Sequence, residues 1–198
     1  MKKVIRKDMK QKLLDLSRRR GFEWLTEQSE RASQRIIGTD AYQQAKCVSV
    51  FLSMPHEVQT RSLLADILAR GKRCFVPFIK DSTMQMVELQ SLEILDSLPR
   101  DKWGIPGFEA LSPSQAVAKP GEIDLIIVPG LAFDRQQMGR IGYGKGYYDR
   151  YFESHQPKQK FALMLDEQIL PVPVPQEEHD VSLDFLFTPS SRYCKDDC

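Results

Sequence analysis

Apolar residues first recur along this chain with a helical period. Ile5, Met9, Leu13 and Leu16 stand at spacings of four, four and three, which predicts an amphipathic helix over residues 3–19. A second helical stretch is expected over about 26–37, closed by Gly38 just past its C-terminus. The pattern then changes. Residues 47–52 are nearly all apolar and rich in β-branched side chains, as a strand covered on both faces is. Residues 53–60 form a loop whose last member, Thr60, can N-cap a helix over 61–70 with Gly71 behind it. The next strand is 73–78. Strand, helix and strand with short connections make a right-handed βαβ unit, so these two strands are expected to be parallel.

Further on, 84–89 alternates and reads as a more exposed strand. Residues 91–122 are richer in Pro, Gly and polar side chains and are expected to form a long ordered loop. That loop carries Trp103, which either stacks on a flat ligand ring or plugs a surface groove. Residues 123–128 make the best central strand; a helix follows over about 146–152, a strand over 160–165, a proline-interleaved stretch over 170–175 and a last strand over 181–187. The order implies an α/β fold with parallel strands, and a chain of 198 residues suits one domain. Ligands of such sheets gather at the carboxyl ends of the strands. His56 and Glu57 then share a rim with the loop after Val128.

Charge narrows the partners. With 28 basic and 27 acidic residues the net charge is +1, so no global field of the kind nucleic-acid binders use is present. No stretch approaches the 18 uncharged apolar residues of a membrane span, and the basic N-terminus has no apolar run behind it. A cytoplasmic protein without a membrane partner is the expectation. Cys47 and Cys74 lie in apolar runs and read as reduced core thiols, whereas Cys194 and Cys198 fall in a polar tail expected to fray.

Candidate chemistry concentrates in Val128-Pro-Gly-Leu-Ala-Phe-Asp134 and Arg140-Ile-Gly-Tyr-Gly-Lys-Gly-Tyr-Tyr-Asp-Arg150. Gly142, Gly144 and Gly146 permit positive φ and close backbone approach. A helix starting near Tyr147 would aim unpaired N–H groups and a positive dipole end at the same spot. Arg140 adds a bidentate fork and Lys145 a point charge, so the stretch reads as a phosphate site. It is neither a Walker A loop nor a dinucleotide fingerprint, because Lys145 precedes Gly rather than Ser or Thr and the glycines alternate. Asp149 is either a carboxylate favoured in a first helical turn or a Mg²⁺ ligand. Tyr143, Tyr147 and Tyr148 either face a flat ligand or pack in the core. Glu57 is either an acceptor for a heterocycle's N–H groups or an ordinary loop carboxylate. His56 lacks a second ligand at metal spacing, and His179 and Asp180 read as loop residues. Lys2 and Arg6, one turn apart, read by spacing alone as a solvated helix face. No Ser-His or Cys-His arrangement stands out.

Residues 129–134 together with 140–149 resemble the signature of the 5-formyltetrahydrofolate cyclo-ligases, also called methenyltetrahydrofolate synthetases. The likeness extends to Lys2 and Arg6, to residues 50–53 with Glu57, to 71–77, to Trp103-Gly-Ile-Pro106 and to His179-Asp180, and so covers essentially the whole chain. Phe78 and Tyr143 depart modestly from the pattern. The resemblance implies a three-layer α/β sandwich with a mostly parallel central sheet, related to the sugar-phosphate isomerase and CoA-transferase group. Within one domain, N-terminal helices would occupy about 3–45 and the α/β core about 47–190. It further implies ATP- and Mg²⁺-dependent cyclisation of 5-formyltetrahydrofolate to 5,10-methenyltetrahydrofolate, with ADP and phosphate released. In that case Lys2, Arg6, Arg140, Ile141, Gly142, Tyr143, Gly144, Lys145, Gly146, Tyr147 and Tyr148 would bind ATP, with Arg140 and Lys145 catalytic. Leu52, Glu57, Trp103, Tyr143, Gly144, Lys145, Gly146 and Tyr147 would line the folate site, and Asp149 and Asp180 would hold Mg²⁺. The partners would be a reduced folate and ATP, on a monomer or weak homodimer. Two rivals remain on the residues alone: a phosphate-dependent isomerase or deaminase using Glu57 as base, and a non-catalytic nucleotide-binding module.

Overall fold

The structure, a computed structural model, describes residues 1–195. Both N-terminal helical stretches form, as one run α1 (Lys2–Ile37) broken at Gly21, where φ is 81° and ψ 168°. Only glycine adopts such a backbone without strain, so the break falls there rather than over a longer linker. Met9, Leu13 and Leu16 are buried on the first half, and Leu25, Ala32, Ile36 and Ile37 on the second. Gly38 ends the helix in a right-handed conformation, φ −73°, and so does not supply the left-handed turn expected of it. A short α2 (Asp40–Gln44) follows, capped by the Thr39 hydroxyl accepting from Tyr42 N–H at 3.2 Å.

The βαβ unit is present: β1 (Cys47–Val50) and β2 (Arg73–Lys80) are parallel neighbours joined through α3 (Arg61–Ala69). Thr60 does not cap α3 with its side chain; its hydroxyl donates instead to the Phe51 carbonyl at 2.9 Å and pairs with Ser53 at 3.0 Å. Those bonds close the loop after β1, a use of the residue that competes with capping. β3 (Thr83–Leu89) returns antiparallel through Asp81 and Ser82, both at positive φ, and buries Met84, Met86, Val87 and Leu89. It is more covered than its alternation suggests. α4 (Leu92–Ser97), capped by Ser91, occupies the start of the stretch expected as loop.

β4 (Leu125–Val128) leads into a two-stranded antiparallel ribbon of β5 (Ala132–Phe133) and β6 (Arg140–Ile141), which no hydrophobic period announces. Then come α5 (Tyr147–His155), β7 (Gln159–Leu163), a 3₁₀ turn (Asp166–Gln168), β8 (Phe185–Phe187) and β9 (Arg192–Cys194). Cys194 therefore pairs with Phe185 in an edge strand instead of fraying; Cys198 lies outside the described residues. Cys47 and Cys74 are buried thiols as expected, and burial pushes Cys74 up to about 12.

The sheet order is β3-β2-β1-β4-β7-β8-β9, with five parallel strands between two antiparallel edges. Alternate residues of the central strands divide between two apolar layers. Val48, Val50, Val76, Leu125, Ile127, Phe161 and Leu163 pack with α1 and α3, while Phe75, Ile126, Val128, Ala162 and Leu186 pack with Tyr151 and Phe152 of α5. The result is helix, sheet, helix, and strands covered on both faces need apolar residues at every position. Phe161 is fully buried with its ring 5.1 Å from those of both Phe185 and Phe187. Phe161→Ala is expected to lower unfolding free energy by ~3–5 kcal/mol. Urea unfolding measures this, and a loss below about 1 kcal/mol would mean that the aromatic trio is not a keystone of the core.

Candidate active site

The chain builds outward from β1 to β2 and β3, then returns to add β4 on the other side of β1. Loops leaving β1 and β4 consequently diverge, and a crevice opens between them at the strands' carboxyl ends. The loop after β1 carries Glu57; the chain after β4 carries the ribbon and the glycine loop. The ribbon is tied down by two buried side chains. Asp134, 1% exposed, accepts from Gln136 N–H at 3.0 Å, Gln137 N–H at 2.7 Å and Val174 N–H at 2.9 Å. Gln168 donates to the Gly130 carbonyl at 2.7 Å and to the Leu131 carbonyl at 3.3 Å, and its side-chain oxygen accepts from Leu165 N–H at 2.9 Å. Neither residue was given a role by the sequence; the Asp turn before a polar tract was the available signal for Asp134.

The three glycines do different work. Gly144 and Gly146 have φ of 94° and 64°, as expected, but Gly142 is not in the positive-φ region. Its requirement is space, because a Cβ there would lie 2.8 Å from Arg140 Nη1. A Cβ on Gly146 would lie 2.9 Å from Arg150 Nη1, and one on Gly144 would rest 3.4 Å from Arg6 Cζ. Gly142 and Gly146 thus each admit a guanidinium, while Gly144 touches Arg6 at ordinary contact distance and is glycine for its backbone conformation. Arg140 comes from β6, is 6% exposed, and donates from Nη2 to both Asp149 carboxylate oxygens at 3.0 Å. Its Nε is buried without a hydrogen-bond partner among the described residues. Arg6 Nε donates to the Gly142 carbonyl at 3.0 Å. Arg150 donates to the Lys145 carbonyl at 2.9 Å and reaches the Ser82 carbonyl at 3.4 Å, stapling the loop to the β2–β3 turn. Sequence reading overlooked Arg150, although its place one helical turn after Gly146 puts it over the loop. Lys145 is exposed, and its ammonium has no partner among the described residues.

α1 brings Arg6 to the glycine loop and Lys2 to the segment of Glu177 and Asp180, so the spacing-based reading of a solvated face does not hold. Lys2 pairs with Asp180 and, at 3.2 Å, with Glu177. Although burial raises Asp180, the Lys2 ammonium and the Glu177 N–H hold its carboxyl below the usual value. Val181 N–H lies 3.5 Å from Asp149 Oδ1, which joins the Asp180 segment to the start of α5. Asp149 and Asp180 therefore stand near each other, each already paired with a cation. No group of three or more His, Cys, Asp or Glu converges among the described residues.

On the other side of the loop, Tyr143 donates its hydroxyl to Glu57 Oε1, while Met54 N–H donates to Glu57 Oε2 at 2.8 Å. Glu57 is 6% exposed, and burial pushes its pKa up to about 7 against the lowering effect of those two bonds. Lys10 lies 5.3 Å over the Tyr143 ring and, after burial, is the second cause that lowers His56. Leu52 and Ile141 are buried among core side chains. Tyr148 packs against both apolar layers and lies 5.6 Å from the Arg140 guanidinium; Tyr147 lies under Arg150 at 5.4 Å. Trp103 is 59% exposed and plugs no groove.

Glu57 has a folded pKa above its ordinary 4.5, so ionising it opposes folding. The stability it supports as a neutral acid is intact below about pH 4.5 and is lost as pH rises through about 7. Glu57→Gln is accordingly expected to match the unmodified protein in urea unfolding at the acidic end and to exceed it by roughly 1–3 kcal/mol at about pH 8. A pH-independent difference between the two would contradict the burial effect.

Residues 1–189 match the model of the 5-formyltetrahydrofolate cyclo-ligase family. A Mus musculus protein named 5-formyltetrahydrofolate cyclo-ligase is 37% identical over 190 residues, covering 92% of this chain and 91% of its own. The Escherichia coli K12 protein of that name is 28% identical over 169 residues, covering 83% and 89%. Among solved structures, the Aquifex aeolicus 5,10-methenyltetrahydrofolate synthetase superposes with a TM-score of 0.79 at 24% identity, over 100% of this chain and 94% of that one. Among the described residues no helix is long and apolar enough to cross a membrane. With a family match over 189 residues and a shared fold, the chain belongs to the 5-formyltetrahydrofolate cyclo-ligase family of ligases.

Proposed function

We propose that this chain, as one domain over 1–198, catalyses ATP- and Mg²⁺-dependent closure of 5-formyltetrahydrofolate to 5,10-methenyltetrahydrofolate, with release of ADP and phosphate. The observation that carries this reading is the hydrogen bond from Tyr143 to Glu57. It makes a cation-bearing glycine loop and a buried polar group suited to a heterocycle's N–H donors adjoin at one edge. A single-phosphate isomerase using Glu57 as base would leave the inward-turned Lys2 and Arg6 without employment.

A formamide oxygen is a weak nucleophile and a poor leaving group. Transfer of the ATP γ-phosphoryl to it solves both problems: the O–P bond forms as ADP leaves, and the N10 lone pair attacks the activated carbon. The carbon–oxygen bond then breaks with the pair going to phosphate, and N10 loses its proton. The protein's share is alignment and charge neutralisation. Lys2, Arg6, Arg140 and Lys145 would supply positive charge to the phosphates, with Gly142, Gly144 and Gly146 offering backbone; Ile141, Tyr147 and Tyr148 would support that side. Leu52, Glu57, Trp103, Tyr143 and Tyr147 would receive the folate. Asp149 and Asp180 are hard oxygen donors, few enough for a Mg²⁺ that retains most of its water, and they would fit as its protein ligands by exchanging Arg140 and Lys2, which would turn to the phosphates. When bound there, the ion would offset phosphate charge.

The reading is tested by incubating the protein with 5-formyltetrahydrofolate and Mg²⁺, with and without ATP, and following the near-ultraviolet absorbance of the methenyl product. ATP-independent turnover, or none, overturns it. Lys145→Ala and Arg140→Ala are each expected to lower kcat/KM by roughly 2–4 kcal/mol. Only Arg140→Ala should also lower Tm, because it strands Asp149 without its ion-pair partner. Near-normal cyclisation by Lys145→Ala would remove that residue from the machinery. Asp149→Asn is expected to shift the Mg²⁺ activation curve, and superimposable curves would withdraw it as a ligand.

A further inference from the structure

The loop between α4 and β4 holds a large aromatic ring in water on a backbone that has no slack. Asp101 Oδ1 accepts from Trp103 N–H at 2.8 Å and from Ile105 N–H at 3.0 Å. Asp101 N–H donates back to the Ile105 carbonyl at 2.9 Å, and Gly104 N–H to the Asp101 carbonyl at 2.9 Å. Arg100 Nη1 closes the turn on the Gly104 carbonyl at 2.7 Å, and Gly107 N–H bonds the Pro99 carbonyl at 3.0 Å. Gly104, at φ 79°, sits so close to the loop after β1 that a Cβ would lie 3.3 Å from Pro55 Cγ. Pro55 is two residues before Glu57. The Trp103 ring is nevertheless 59% exposed, with the Lys102 ammonium 5.4 Å from its centroid.

A solvent-facing tryptophan is ordinarily mobile and gains nothing from six hydrogen bonds in the turn around its backbone. Fixing its backbone before a ligand arrives removes part of the ordering cost that binding would otherwise meet. Flat aromatic faces of ligands stack on tryptophan rings, and a fixed backbone leaves only the ring's own rotation to be ordered on binding. We propose that Asp101 is a positioning residue, holding Trp103 as a ready-made stacking face for the flat ring of the folate substrate at the Pro55–Glu57 edge of the crevice. The proposal rests on Trp103 facing folate, and it adds that the carboxylate two residues earlier sets the affinity.

Four full-length variants decide it: Asp101→Ala, Asp101→Asn, Gly104→Ala and Trp103→Ala, compared by steady-state kinetics. Asp101→Ala is expected to raise KM for 5-formyltetrahydrofolate about fivefold, with kcat and the KM for ATP within about twofold. Asp101→Asn retains an acceptor oxygen for both N–H groups and is expected to stay near the unmodified protein. Gly104→Ala, strained at its positive φ, reaches the same loop through a different atom and is expected to reproduce the folate-specific KM rise, whatever the fate of Asp101→Ala in folding. Combining Asp101→Ala with Trp103→Ala is expected to add little to Trp103→Ala alone. In a Trp24→Phe background, Trp103 fluorescence anisotropy is expected to fall in Asp101→Ala and not in Asp101→Asn. An unchanged folate KM in both Asp101→Ala and Gly104→Ala, while Trp103→Ala raises it, overturns the positioning role and leaves the folate reading standing. Full additivity in the double variant overturns it equally. A Trp103→Ala protein with unchanged folate KM instead removes Trp103 from the folate site, and this proposal with it.

Discussion

A guanidinium that is 6% exposed must have a carboxylate, and the requirement of Arg140 for Asp149 organises the whole rim. Removing either partner would leave an uncompensated charge in a region of low dielectric, a loss far larger than any surface ion pair contributes. To satisfy the pair, β4 cannot pass directly into a helix. The chain instead makes the short β5–β6 ribbon, which returns Arg140 to the sheet's end, and α5 must begin where Asp149 falls in its first turn. Asp134 and Gln168 exist in service of that detour, since they bind the N–H groups and carbonyls the ribbon cannot pair internally.

The second constraint is reach. Cationic groups near the start of the first helix meet distant parts of the chain: the Arg6 bond to Gly142 spans 136 positions and the Lys2 pair with Asp180 spans 178. That is possible because Met9, Leu13 and Leu16 fix the first half of α1 against the sheet, while Gly21 lets the second half follow a separate line. Scaffold and site are therefore the same helix on different faces.

Much of this was legible in the sequence because it is periodic or punctuated. The βαβ unit, the central strands and the start of α5 at Tyr147 all announce themselves through apolar runs between glycines and polar loops. What escaped has particular reasons. Strands of two residues have no period, so β5 and β6 were invisible, and β9 was hidden in a polar tail. Lys2 and Arg6 look like any solvated face until the partner 136 or more positions away is known. Thr60 has cap chemistry but spends its hydroxyl on the Phe51 carbonyl, a choice that only tertiary geometry makes. Gly142 was assigned backbone freedom that it does not use. Gly38 was assigned the same and ends its helix without it.

The lesson of Gly142 extends to its neighbours. Gly142 and Gly146 make room for Arg140 and Arg150, while Gly144 and Gly146 hold positive φ, so the alternating glycines are a moulded surface and not a flexible tether. Their spacing then reflects two arginines, drawn from a strand and from the next turn, together with two left-handed backbone positions. Under drift, Gly142 is free to acquire a side chain only in lineages where Arg140 has already shortened or left, whereas Gly144 and Gly146 are also held by their positive φ, whatever the arginines do. Divergence at Gly142 would proceed as a couple with Arg140, and a relative that keeps this glycine while losing the arginine would mark the intermediate step of such an exchange.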